Sequence, residues 1–140
     1  MILSRPNEEL NTHTELILEQ YKEMNDKKGI DEVVKNIVNK LCSENKKIKS
    51  CKDIIYDLFI QSLILHDEGK KNPFFQSYIG NKEYKNYKYT KINKHHAEIS
   101  AIYYCMEMYN KYVATTKKRV LQEYLKDIIL SFAYGIYKHH

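Results

Sequence analysis

Apolar residues recur along most of this chain at the spacing of an α-helix. Ile30, Val33, Val34, Ile37, Val38 and Leu41 fall at i, i+3, i+4, i+7, i+8 and i+11 and make one apolar stripe. Gly29 separates this helix from an earlier one over about Glu8 to Asn25, and Asp31 in its first turn suits the helix dipole. A Lys/Asn-rich connector, Ser43 to Ser50, leads to a third helix over about Lys52 to Leu65, with Ile54, Ile55, Leu58, Phe59, Ser62 and Leu63 on its buried side. The periodicity then breaks from Gly69 to Lys94, where Gly69, Pro73 and Gly80 punctuate the chain. Within that stretch a short helix is predicted around Pro73 to Ile79, with proline in its first turn. Helix resumes over about His96 to Val113, with Ile99, Tyr103 and Met106 on one side. A last helix runs from about Lys117 to the end, with a core face of Val120, Leu121, Tyr124, Leu125, Ile128, Phe132 and Ile136. No strand and no internal repeat is expected, so the predicted class is all-α.

The length of 140 residues predicts one domain, 1–140, able to bury a core without disulfides. No apolar run is long enough to span a bilayer, and MILSRPNEEL lacks the apolar core of a signal peptide, so a cytoplasmic protein with no membrane partner is expected. Cys42, Cys51 and Cys105 form no C-x-x-C pair and read as reduced, packed thiols. Net charge is +5, which favours polyanionic partners. The chain is also rich in Asn, Ile and Tyr, a mixture that AT-rich codon usage yields on its own, so charge carries little weight here.

The chemistry is concentrated in the histidines. His66 is followed at once by Asp67, where an apolar helix runs out into a glycine-containing turn. Imidazole nitrogen with carboxylate oxygen suits a first-row divalent metal. Adjacent residues point in different directions, so the pair can reach two metals, with the carboxylate bridging. If the helix continues, Lys70 follows one turn on, where a lysine can neutralise charge on a phosphoryl group, while Glu68 most simply faces solvent. A lone His-Asp pair is more often a capped helix end. Here, however, His13 lies on the first helix, His96 opens a later one, and His139 and His140 close the last, and bundles build metal sites from facing helices. His95 reads as a flanking surface residue. The segment Tyr84, Lys85, Asn86, Tyr87, Lys88, Tyr89 interleaves rings with cations, a pattern that can stack bases and meet phosphates.

The order of these residues resembles the HD nuclease domain of the type I CRISPR-associated helicase-nuclease, within the HD phosphohydrolase superfamily. His66, Asp67, Gly69 and Lys70 match His-Asp-x-Gly-Lys, and Phe75 and Gln76 match the Phe-Gln that follows it. His96, Ser100 and Ala101 match His-x-x-x-Ser-Ala, which selects His96 over His95. Ala133 to His140 matches a helix closing on His-His, and RPNEELNTHTE resembles the family's opening, with His13 in the ligand position. The resemblance spans nearly the whole chain. It implies an HD-superfamily helical bundle with a metal site in its core, binding two divalent transition-metal ions (Mn, Fe, Co, Ni or Zn ahead of Mg) through His13, His66, Asp67, His96, His139 and His140. It further implies a metal-dependent single-stranded DNA endonuclease, in which a metal-activated hydroxide attacks the scissile phosphate. Asp67 and Lys70 would be its catalytic residues, Lys70 contacting the phosphate. Its partners would be single-stranded DNA, a CRISPR helicase and the RNA-guided surveillance complex. The family continues past His-His with a Gly, further helices and a later Asp ligand, so a piece of the HD domain, without helicase, is expected here. Two other classes compete: an HD-superfamily phosphohydrolase of nucleotides or small phosphoesters, and a catalytically incomplete fragment that only binds metal.

Overall fold

The computed structural model describes residues 1–44, 46–90 and 95–139. The chain is mostly helical, as its periodicity predicts. It opens, however, on a small antiparallel hairpin, β1 (Leu3–Arg5) paired with β2 (Glu8–Glu9), which the pattern of apolar residues does not announce. Strands of three and two residues are too short to show alternation. The turn between them places Asn7 at φ 66°, a left-handed position that asparagine tolerates. The hairpin is held from outside: the buried Gln76 side chain accepts the Leu3 N–H at 2.9 Å and donates to the Leu3 carbonyl at 2.7 Å.

Helix α1 (Leu10–Lys28) ends where Gly29 turns left-handed at φ 62° and donates its N–H to the Asn25 carbonyl. Helix α2 (Ile30–Glu44) starts directly after it, and Asn25 Oδ1 accepts the Asp31 N–H at 2.7 Å. The Asp31 carboxylate then joins three helices. It accepts hydrogen bonds from Tyr21 of α1 and, at 2.6 Å, from Tyr56 of α3 (Lys52–Leu65). A 3-10 turn, Lys46–Cys51, connects α2 to α3. After α3 come another 3-10 turn, Glu68–Lys71, and the short helix α4 (Pro73–Tyr78), whose first turn is capped by Asn72. Helix α5 (Ala97–Met108) runs into a π-helical turn, Tyr109–Val113, and α6 (Arg119–Tyr137) closes the bundle.

The core lies between α3, α5 and α6, with Leu58, Tyr104 and Leu125 fully enclosed and the Tyr104 hydroxyl donating to the Leu58 carbonyl at 2.8 Å. Its boundary differs from the predicted stripes. On α2 only Val38 and Cys42 are buried, while Val33, Ile37 and Leu41 are exposed. On α5 the Ile99, Tyr103 and Met106 side faces outward, and Ala97, Ser100, Ala101, Tyr104 and Met108 are buried. On α6 Val120 is exposed, whereas Ile129 and Ala133 are in the core. Helix α5 carries apolar side chains on more than one face, so spacing alone could not choose between them. Its small residues, Ala97, Ser100 and Ala101, mark the face that can approach a neighbour closely. No described helix is long and apolar enough to cross a membrane.

The tyrosine hydrogen bonds, led by that of Tyr21, hold the Asp31 carboxyl below the ordinary carboxylate range against its partial burial. A lowered folded-state value contributes stability above the unfolded value of about 3.9, and that contribution is lost as pH falls through the folded value. Asp31→Asn should therefore destabilise the protein at neutral pH, with the gap to wild type narrowing below roughly pH 4. Urea midpoints at neutral and acid pH check this. A gap of constant size would mean that the charge of Asp31 contributes nothing.

Candidate metal centre

Asp67 lies just past the end of α3, where the chain leaves the helix for the 3-10 turn, and is 2% exposed. Four imidazoles reach its two oxygens from four separate elements. Near Oδ2 stand His13 Nε2 of α1 at 3.0 Å and His66 Nε2 at 3.2 Å. Near Oδ1 stand His96 Nε2, from the residue capping α5, at 3.2 Å and His139 Nε2, just past α6, at 3.3 Å. These atoms make two ligand groups that share Asp67: His13, His66, Asp67 and Asp67, His96, His139. His140 lies outside the described residues.

Two of the rings are oriented by backbone carbonyls. Nδ1 of His66 contacts the Leu63 carbonyl at 2.8 Å, and Nδ1 of His139 contacts the Ile136 carbonyl. A carbonyl only accepts, so Nδ1 carries the hydrogen and, in the neutral ring, the Nε2 lone pair points at a carboxylate oxygen. Two lone pairs 3 Å apart repel unless a proton or a metal ion lies between them. Protonating all four rings beside the Lys70 ammonium would place five cations around one buried carboxylate, an arrangement burial disfavours strongly. A metal fits the spacing. Two ligands about 2.1 Å from one ion, at angles of roughly 90–109°, stand about 3.0–3.4 Å apart. The ring-to-carboxylate distances fall in that range, and this His/Asp group could hold a metal ion.

Without an ion, the same contacts run through protons on the rings. Burial works against an ionised Asp67, yet hydrogen bonds from His66, His96 and Lys70 hold its carboxyl far below the usual carboxylate range. Burial likewise disfavours a charged His66, but Asp67 and the Leu63 carbonyl outweigh it and raise its pKa. The helix does not continue to Lys70. The chain turns instead, and the largely buried Lys70 reaches back to donate to Asp67 Oδ2 at 2.7 Å. Glu68 is half-buried, not solvated, and pairs with Lys71 at 2.6 Å.

One contributor escaped the sequence. Glu8 Oε1 lies 3.5 Å from His13 Nδ1, on the far side of the ring from Asp67. Burial opposes the Glu8 charge, but Ser4 and Arg5 hydrogen-bond its carboxylate and keep its pKa low. A carboxylate behind an imidazole is the usual way to aim a metal-ligating ring. Its spacing of five residues before His13 is the only signal, and it depends on the hairpin for its meaning.

The remaining motif residues hold the backbone. Gly69 N–H donates to Ser100 Oγ at 2.8 Å, and a Cβ on Gly69 would stand 2.1 Å from the His96 carbonyl oxygen and 2.8 Å from the Ser100 nitrogen. Only glycine lets the turn carrying Asp67 lie against the turn carrying His96. Gln76 donates to the Lys70 carbonyl at 2.7 Å as well as holding Leu3, so it fixes the lysine's backbone to the hairpin. Phe75 packs its ring edge-to-face on His96 at 4.7 Å. His95 is exposed. In the Tyr/Lys segment Lys85 and Lys88 are exposed, and the rings are partly packed: Tyr87 on Phe74 at 5.8 Å, Tyr84 on Tyr87 at 6.0 Å and Tyr89 on Tyr78 at 5.2 Å.

Comparison with protein-family models, curated proteins and solved structures finds no match for this chain. The site therefore stands on its geometry.

Two predictions follow from that geometry. Calorimetric titration of metal-stripped protein with Mn²⁺ should give binding that Asp67→Ala abolishes, while His13→Ala and His139→Ala each spare the opposite oxygen of the carboxylate. Binding that survives Asp67→Ala would reduce the cluster to an ion-paired network. Gly69→Ala should cost about 3 kcal/mol, because the atoms it meets are backbone and cannot rotate away. It should also weaken Mn²⁺ binding, since His96 must retreat. A urea midpoint close to wild type would refute the close-approach account.

Proposed function

We propose that this chain is a metal-dependent phosphodiesterase that cleaves single-stranded DNA, built like the HD nuclease domain it resembles and holding two divalent ions on Asp67. The observation that carries the reading is the single carboxylate with one pair of imidazoles at each oxygen. That arrangement favours two ions side by side over one. His13, His66, Asp67, His96 and His139 would hold them, and the ions would supply a water of lowered pKa and charge to offset that on the attacking and leaving oxygens of a phosphodiester. Nitrogen-rich ligation favours Mn, Fe, Co, Ni or Zn over Mg.

The chain's own residues do the rest. Asp67 fixes the spacing between the half-sites, and the carbonyls of Leu63 and Ile136 set the tautomers of His66 and His139. Glu8 aims His13. Lys70 balances the charge of Asp67 and, by the resemblance, contacts the phosphate. A pocket for a small phosphoester would be closed, whereas this cluster lies between two open grooves, one reaching His96 and the other His66 and His139. That favours a strand over a free nucleotide. By the same resemblance the domain acts in the cytoplasm with a helicase and an RNA-guided surveillance complex.

Metal-stripped protein should degrade circular single-stranded DNA when Mn²⁺ or Ni²⁺ is restored, and Asp67→Ala should not. Cleavage by both proteins would place the activity elsewhere. Metal binding without cleavage would leave a metal-binding domain that does not turn over.

A further inference from the structure

The two grooves beside the cluster differ in chemistry. One, of about 350 Å³, is lined mainly by apolar side chains such as Ile17, Phe59, Leu63 and Phe132, together with His66 and His139. The other, of about 410 Å³, is lined by Phe75, Tyr78, His95, His96, Tyr137 and Lys138. We propose that the second groove is a nucleoside subsite: it takes the unpaired nucleoside next to the phosphodiester held at Asp67, between the rings of Tyr78 and Tyr137. This rests on the phosphodiesterase reading and names where that substrate lies.

The connection runs through His96. Its imidazole faces Asp67 Oδ1 at 3.2 Å, and the residue also lines the groove. A strand whose phosphate reaches the cluster from this side must lay its neighbouring nucleoside there. The groove has room for one nucleoside, at the lower end of the roughly 300–1,000 Å³ typical of ligand pockets, and not for a base pair with two backbones.

Its lining suits that ligand. Tyr78, from α4, and Tyr137, at the end of α6, both line the groove and are both about 44% exposed, which leaves aromatic surface for a base. Both are braced: Tyr89 packs edge-on against Tyr78 at 5.2 Å, and Lys138 Nζ stands 5.1 Å from the Tyr137 ring centre. Rings already in place lose little freedom when a base stacks on them. Lys138 and His95, both exposed, supply donors for the next phosphate, and the Glu98 carboxylate can accept from a base amino group. The apolar groove has little to offer the polar edges of a base. A strand is favoured over a mononucleotide because Tyr89, half exposed and next to Lys88, adjoins Tyr78 and enlarges the aromatic surface there.

Binding of a fluorescein-labelled twelve-residue oligothymidylate, followed by anisotropy in EDTA, tests the groove without the metals. Tyr78→Ala/Tyr137→Ala should bind roughly ten-fold more weakly or worse, whereas Tyr78→Phe/Tyr137→Phe should bind like wild type. Thermal melting close to wild type establishes that both variants fold. Equal affinity of the alanine variant and wild type, or no binding by wild type, would overturn the subsite. Thymidine monophosphate displacing the strand at equal concentration would overturn it in favour of a free nucleotide. Hydrolysis of bis(p-nitrophenyl) phosphate by the Mn²⁺-loaded wild type separately tests the phosphodiesterase reading. Its failure would sink that reading and leave the metal-free comparison to decide whether the groove binds a strand.

Discussion

A single buried carboxylate organises this protein. Asp67 draws in His13, His66, Lys70, His96 and His139, all within 3.3 Å of its oxygens. An ionised carboxylate this enclosed is costly unless it is matched by positive charge or hydrogen-bond donors. The matching groups come from both ends of the chain and its middle, so satisfying Asp67 requires α1, α3, α5 and α6 to meet at one point. The demand is mutual. The imidazoles whose Nδ1 atoms are held by backbone carbonyls turn their Nε2 atoms toward the same oxygens, and a proton or a metal ion must lie between.

Around that point the scaffold works mainly by fixing backbone. Gly69 lets the Asp67 turn touch the His96 turn, and Ser100 replaces the missing contact with a hydrogen bond. Gln76 ties the Lys70 backbone to the hairpin, whose second strand carries Glu8, which in turn aims His13. The pattern His-Asp-x-Gly-Lys with a later Phe-Gln and His-x-x-x-Ser thus has a physical basis. Four of its residues, His66, Asp67, Lys70 and His96, face the site directly, and Gly69, Gln76 and Ser100 set the distance between the turns that carry it. Remote from the site, Asp31 fastens α1, α2 and α3 through two tyrosine hydroxyls and so fixes where His13 stands relative to His66.

What the sequence determined by itself was the helical character, the breaks at Gly29 and Pro73, and the identity of the ligand candidates, because each is a local property. Helix period, a left-handed glycine and a proline at a first turn need no partner to be recognised. The faces were a different matter. Val33, Ile37, Ile99 and Met106 are as apolar as the residues that are buried, and only the packing of neighbours decided which row turned inward. The hairpin is too short to show a period, and Glu8 gains its role only from the fold that sets it behind His13. Tertiary structure alone decided that Lys70 would turn back onto Asp67 and that the imidazoles would divide in pairs between two oxygens, since distances between residues far apart in sequence depend on how helices pack and not on how they are spelled.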